Sequence, residues 1–212
     1  MTYGPAVKQH AHSVWRSPLK HLFKIIVILT ILIISGFHQG RAESENPRVR
    51  LETRLGHILL ELDSKAAPAT VSNFLFYVRS GFYDDTIFHR VIPRFMIQGG
   101  GFDATLAKRD TDHPILNEAD NGLKNLRGTI AMARTTAPHS ATSQFFINTV
   151  DNDYLNFKAK NRREWGYCVF GRVIDGMDTV NAIEGVPTTS KGGLPNVPST
   201  PVTINKAVII QE

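Results

Sequence analysis

From residue 49 onward the chain is cut into many short β-prone runs separated by turn signals, with helical periodicity in only two places. Nothing else in the sequence restricts the architecture as strongly. Val49, Leu51 and Thr53 alternate with Arg48, Arg50 and Glu52 as in a half-buried strand, Gly56-His57 reads as a turn that leaves His57 exposed, and Ile58, Leu60 and Leu62 resume the alternation to complete a hairpin. Further strand-like runs fall at 130–133, 144–148, 167–173 and 202–210. Val71, Phe74, Leu75 and Val78 share one helical stripe, with Pro68 suited to the first turn and Gly81 to the C-terminal cap. Met177, Val180 and Ile183 predict a second helix, with Asp175 near its start and Gly185 after its end. Many strands and two helices argue for a mainly β, closed antiparallel barrel and against an alternating βαβ sheet. The stretches 103–125 and 191–201 are long for plain connections, and such loops are usually functional or carry small elements of their own. No internal repeat, low-complexity tract or second domain is visible.

The net charge of +5 sits entirely in the first 42 residues, where Lys8, Arg16, Lys20, Lys24 and Arg41 meet no acidic residue. The remainder holds 19 basic and 19 acidic side chains, so no nucleic-acid or anionic partner is indicated. Cys168, the one cysteine, excludes an internal disulfide and any cysteine-cluster metal site, and its run Tyr167-Cys168-Val169-Phe170 makes it a packing residue.

Residues 25–34 are almost wholly aliphatic, preceded by basic residues and followed by small ones at Gly40 and Ala42. This is the layout of a signal peptide at 1–42, cleaved to leave Glu43 as the first residue. An uncleaved anchor formed by 22–37, with Lys24 snorkelling, is the alternative. Basic residues on the N-terminal side keep that end in the cytoplasm under either reading, so the domain at 48–212, after a short polar linker at 43–47, is expected across the membrane. The expected compartment is the periplasm, either free or tethered to the inner membrane. His10 and His12 belong to the leader.

The block Phe88-His89-Arg90-Val91-Ile92-Pro93-Arg94-Phe95-Met96-Ile97-Gln98-Gly99-Gly100 resembles the signature of the cyclophilins, the cyclosporin-type peptidyl-prolyl isomerases. Ser143-Gln144-Phe145-Phe146-Ile147 and Val169-Phe170-Gly171-Arg172-Val173 resemble later family segments in the right order. The stretches 117–123 and 129–134 are similar to the bacterial branch, and with the leader to its periplasmic members. The resemblance spans 49–210 and implies an eight-stranded antiparallel barrel capped by two helices. It implies Arg90 as the catalytic arginine, with Phe95, Met96, Phe146 and Leu155 as the wall of a proline pocket. Gln98, Ala133, Arg134 and Gln144 take the places of peptide-groove residues, and His89 takes a groove-side position that could equally be a core histidine. Without the resemblance, Phe95, Met96 and Phe146 would read as core and Arg90 as a surface ion-pair partner.

Those residue types suit the chemistry. Amide resonance sets a barrier of about 18–20 kcal/mol to turning an X-Pro bond. A donor aimed at the prolyl nitrogen stabilises the twisted state, whose lone pair is localised, more than the planar one, and only such differential binding accelerates the step. A guanidinium, always charged and carrying several fixed donors, suits that role better than an ammonium. No nucleophile, metal or cofactor is required, and neither G-x-S-x-G nor G-x-G-x-x-G occurs. Gly99-Gly100-Gly101 alone is no phosphate site.

Three positions depart from the family pattern. Tyr154 stands where eukaryotic members commonly carry a tryptophan that helps to hold cyclosporin, so weak drug binding is expected. Tyr167 replaces a histidine, and Arg94 replaces a glycine, putting a second cation near the groove mouth that could favour acidic flanking residues. The basic stretch 156–166 reads as a solvated loop. The expected substrates are proline-containing unfolded or partly folded polypeptides, acted on by a monomer. A chaperone-like module that holds chains in the same groove is the competing function, and a lipocalin-like internal ligand is disfavoured because the inferred pocket lies on the surface.

Overall fold

The computed structural model describes residues 1–4 and 46–211. The expected signal segment and processing site, His10, His12 and most of the expected 43–47 linker lie outside the described residues, among which no helix is long and apolar enough to cross a membrane. In chain order the elements are β1 (Arg48–Thr53), β2 (Gly56–Leu62), α1 (Pro68–Arg79), β3 (Thr86–Ile92), β4 (Met96–Asp103), β5 (Thr129–Met132), β6 (Phe145–Asn148), β7 (Val169–Asp175), α2 (Met177–Glu184), β8 (Thr188–Lys191), β9 (Leu194–Pro198) and β10 (Thr203–Gln211). Eight strands close an antiparallel barrel in the order β1-β10-β3-β4-β6-β5-β7-β2, and β8 and β9 form a separate hairpin. The barrel and both helices agree with the sequence reading. The stretch 191–201 holds β9, and 103–125 holds a 3-10 turn at Ala119–Asn121.

Local chemistry moves two boundaries. The first hairpin turns at Arg54-Leu55 rather than Gly56-His57, because the Thr53 hydroxyl accepts from the Leu55 N–H at 3.1 Å and donates to the Gly56 carbonyl at 2.7 Å, closing the turn early. Asp175 ends β7 and pairs with the exposed His57 at 2.8 Å, leaving Gly176 as the cap of α2. Gly176 has φ +85°, and a Cβ there would collide with the His57 carbonyl.

α1 ends as its sequence predicts. Gly81, at φ +67°, gives its N–H to the Val78 carbonyl, while the Phe82 N–H reaches back to Tyr77 O at 3.0 Å. The Tyr77 and Phe82 rings then meet at 4.6 Å. Its start is unusual: Ala67 offers no capping side chain and the first turn no acid. Glu118, from the long loop after β4, supplies both, accepting the Ala69 N–H at 3.1 Å, the Thr70 N–H at 2.8 Å and the Thr70 hydroxyl at 2.7 Å.

The barrel interior is filled by Leu51, Ile58, Leu60, Phe88, Ile97, Ile130, Phe145, Ile147 and Phe170, all fully buried. Phe74 of α1 closes one end, its ring 5.1 Å from Tyr83, 5.6 Å from Phe145 and 5.3 Å from Phe170. Buried Cys168 packs near Thr70, and burial pushes its thiol pKa up to about 11, so it is an inert packing residue.

Candidate active site

All four residues of β6 are buried, although only Phe145 and Ile147 belong to the interior. Successive side chains on a strand point to opposite faces, so Phe146 points outward and must be covered by something else. It joins Met96, Ala131, Leu155 and Val169 in a second apolar cluster, with Phe95, Ala133 and Tyr167 packed at its edge. The register makes this cluster a row across the sheet: Gln98 faces Phe146, Phe146 faces Ala131, and Ala131 faces Val169. The site is thus an outer face of the barrel built by alternation.

Arg90 enters that row through an irregularity. Phe88 pairs with Gly99 and Arg90 with Gln98, so two steps along β3 match one step along β4. In a regular strand Phe88 and Arg90 would share a face; the bulge at His89 sends Phe88 inward and Arg90 outward. The Arg90 guanidinium donates to Gln98 Oε1 at 3.3 Å, Gln98 Nε2 donates to Gln144 Oε1 at 3.0 Å, and the Phe95 ring centre lies 5.9 Å from Arg90 Cζ. Among the described residues Arg90 forms no ion pair.

Arg90, Phe95, Met96, Gln98, Ala133, Arg134, Phe146, Leu155 and Tyr167 line one cavity of about 100 Å³. A water occupies about 30 Å³ in the liquid, so the space accepts a small ring. Every one of these residues was expected from the sequence. The other three lie beside it. Gln144 stands one hydrogen bond behind Gln98, and Tyr154, 66% exposed, stacks on Phe95 at 6.0 Å. His89 is buried against Phe102 at 4.6 Å, and its Nδ1 has no partner among the described residues. Burial lowers its pKa to about 4, with the Arg90 charge acting in the same sense.

Asparagines that the sequence reading passed over hold the rim. Asn148 donates to Asn125 Oδ1 at 3.2 Å, and Asn152 donates to Asn148 Oδ1 at 2.7 Å and to the Phe95 carbonyl at 2.9 Å. Asn156 accepts from both the backbone and the side chain of Asn125, at 2.7 and 3.1 Å. The 3-10 turn at Asp153–Leu155 is thereby fixed against β4 and β6. Their spacing, Asn148, Asn152 and Asn156, was a visible signal.

Arg94 lines neither this cavity nor its neighbour; at φ +59° in the β3–β4 turn it gives its N–H to Glu184 Oε1 at 2.6 Å. Cations instead gather around a larger adjoining cavity of about 820 Å³, between 134–136 and 154–167. Its wall is the 156–166 stretch, whose exposed tip fits a solvated loop but whose base is anchored. Trp165 donates to the Asn117 carbonyl at 3.1 Å and meets the His139 ring at 4.6 Å, and Lys158 N–H bonds Glu164 O at 2.9 Å.

Comparison with known proteins points to one family. Residues 48–209 match the family model described as cyclophilin type peptidyl-prolyl cis-trans isomerase/CLD. The chain is 55% identical over 161 residues to peptidyl-prolyl cis-trans isomerase B of Escherichia coli, covering 76% of this chain and 98% of that protein. It is 48% identical over 188 residues to peptidyl-prolyl cis-trans isomerase A of Dickeya dadantii, covering 89% and 97%. A Cryptosporidium parvum cyclophilin type isomerase superposes with a TM-score of 0.68 at 30% identity, over 79% of this chain and 99% of that one. Its structure has also been solved in the presence of the dipeptide Ala-Pro, with a TM-score of 0.67. The chain belongs to the cyclophilin-type peptidyl-prolyl cis-trans isomerases, enzymes of class EC 5.2.1.8 that act on proline-containing polypeptides.

Proposed function

We propose that the chain turns X-Pro bonds of exported polypeptides by seating the proline ring in the 100 Å³ cavity, where Arg90 donates to the prolyl nitrogen as the amide twists. The observation that carries this reading is the Arg90 guanidinium, without a carboxylate partner among the described residues, at the edge of an apolar pocket. Met96, Phe146 and Leu155 hold the ring while the acyl side rotates, and their low polarity strengthens the charge–lone-pair interaction. Gln98 and Gln144 orient the guanidinium. Bringing a half-time of tens of seconds to milliseconds takes about 5.5 kcal/mol. One charge-assisted hydrogen bond supplies about 1.5–3 kcal/mol, leaving the rest to ring placement and groove binding.

The test is turnover of a cis-proline peptide and a proline-limited refolding reaction by wild type, Arg90→Ala and Arg90→Lys. Arg90→Ala is expected to lose about 10- to 100-fold, with Arg90→Lys recovering part. Retained turnover in Arg90→Ala would remove the arginine mechanism, and aggregation suppression without turnover in wild type would favour a holding function.

The leader supports export, with the domain at 48–212 acting in the periplasm after cleavage before Glu43. N-terminal sequencing of protein from the periplasmic fraction decides between this and an uncleaved anchor. We expect a monomer that binds cyclosporin weakly, since Tyr154 stands at the rim.

A further inference from the structure

Beside the proline cavity lies the larger one, and the two share Arg134 and Tyr167 in their walls. The two cavities therefore adjoin along the Arg134–Tyr167 pair. The shared pair is held firmly: the Arg134 guanidinium lies 4.5 Å over the Tyr167 ring, and Arg134 Nε donates to the Gly166 carbonyl at 2.9 Å.

The larger cavity is strongly cationic. Arg134, Lys158, Arg162 and Arg163 line it against a single carboxylate, Glu164. Glu164 accepts from Asn161 Nδ2 at 2.7 Å and forms no ion pair with those cations among the described residues. Lys160 on the same loop is neutralised by Asp120 at 2.7 Å, away from the cavity. Arg162 reaches across to the Thr136 hydroxyl at 3.2 Å, tying the loop to the opposite wall. The side chains of Lys158 and Arg163 have no partner among the described residues. Four positive charges therefore face one space in a domain whose 19 basic and 19 acidic side chains balance overall. Trp165 fixes the loop that carries three of them, so the charges converge on a built wall.

We propose that this cleft takes an acidic side chain of the substrate polypeptide, within about three residues of the isomerised proline. Three extended residues span roughly 10 Å, the scale of the cavity. Arg134, Lys158, Arg162 and Arg163 are then specificity determinants that favour Glu or Asp flanking the proline, in place of the role expected for Arg94. The inference rests on reading the smaller cavity as the proline pocket.

The experiment compares proline peptides carrying Glu, Gln or Lys at each of the three positions on either side of the proline, at low and high salt. At low salt the Glu peptide at one or more positions on one side is expected to exceed its Gln counterpart in kcat/KM by about three- to tenfold, with Lys lowest. The preference should shrink at high salt and fall toward unity in Lys158→Gln/Arg163→Gln, and persist in Arg94→Gln. Equal rates for Glu and Gln at every position, or a preference untouched by the double substitution, overturn the proposal. Calorimetric binding of the same peptides reads the cleft without turnover. Tighter Glu than Gln binding with no catalysis would uphold the cleft while removing the isomerase reading, and equal binding would remove the cleft.

Discussion

Arg90 and Gln98 are direct cross-strand neighbours, joined by a 3.3 Å hydrogen bond, because the bulge at His89 turns Arg90 to the outer face of the barrel. Gln98 is held in turn by Gln144, whose side chain fills the space that a Cβ on Gly101 would occupy. The guanidinium is therefore positioned by a chain of amides anchored in the sheet. Positioning without a carboxylate leaves its remaining donors for substrate.

Gln98→Ala is expected to lower kcat about tenfold with little change in thermal stability, since a half-exposed amide is lost but the guanidinium loses its orientation. Gln98→Glu would bind Arg90 as an ion pair and lower activity more than Gln98→Ala. A kinetic comparison in which the glutamate variant is the more active of the two would overturn the orienting role.

Glu118 caps α1 from a distance of 48 residues in sequence, accepting two backbone N–H groups and the Thr70 hydroxyl. Glu118→Ala is expected to cost about 1–2 kcal/mol in urea unfolding, and Glu118→Gln less, because the amide keeps an acceptor but loses the charge facing the helix dipole. Equal losses in the two variants would mean that charge contributes nothing there.

That cap marks the limit of what the sequence discloses. The hairpin β1–β2, the stripe of α1 and its Gly81 stop depend on residues a few positions apart, so they were legible, although Thr53 closed the first turn earlier than Gly56 suggested. The closed barrel followed from counting strands. Arg90, Phe95, Met96, Gln98, Phe146 and Leu155 were all found through the family resemblance, which the short block at 88–100 carries most strongly. The bulge was not legible, since it shows only when β3 is laid against β4. Nor was the basic cleft, because Arg134 and Arg163 come to line one cavity through folding of the 156–166 loop around Trp165, whereas Arg94 lines neither cavity.

Asn148 and Asn152 are both nearly inaccessible and bonded to each other, with Asn152 also holding the Phe95 carbonyl. Removing either leaves buried polar groups without partners, at about 1–3 kcal/mol per group. Asn152→Ala is expected to lose about 2–3 kcal/mol and to raise KM as Phe95 and Leu155 move, whereas Asn148→Ala should cost similar stability. An Asn152→Ala protein with unchanged stability and KM would show the network to be idle.

His89 couples stability to pH. Its pKa falls from 6.5 to about 4 on folding, chiefly by burial, so between those values the unfolded chain binds the proton more tightly. The stabilisation is therefore complete above about pH 6.5, declines as pH falls through the window and levels off below about pH 4. Each tenfold difference in proton affinity between the two states is worth about 1.4 kcal/mol, so the whole effect amounts to about 3 kcal/mol. His89→Gln removes this dependence, so the drop in urea-unfolding stability between pH 7 and pH 4.5 should be smaller in the variant by about 2–3 kcal/mol. The ring should also show almost no titration by NMR between pH 5 and 8. Parallel stability profiles for wild type and variant, or a His89 midpoint near that of a free imidazole, would place a charged ring beside Arg90 and overturn the buried neutral state.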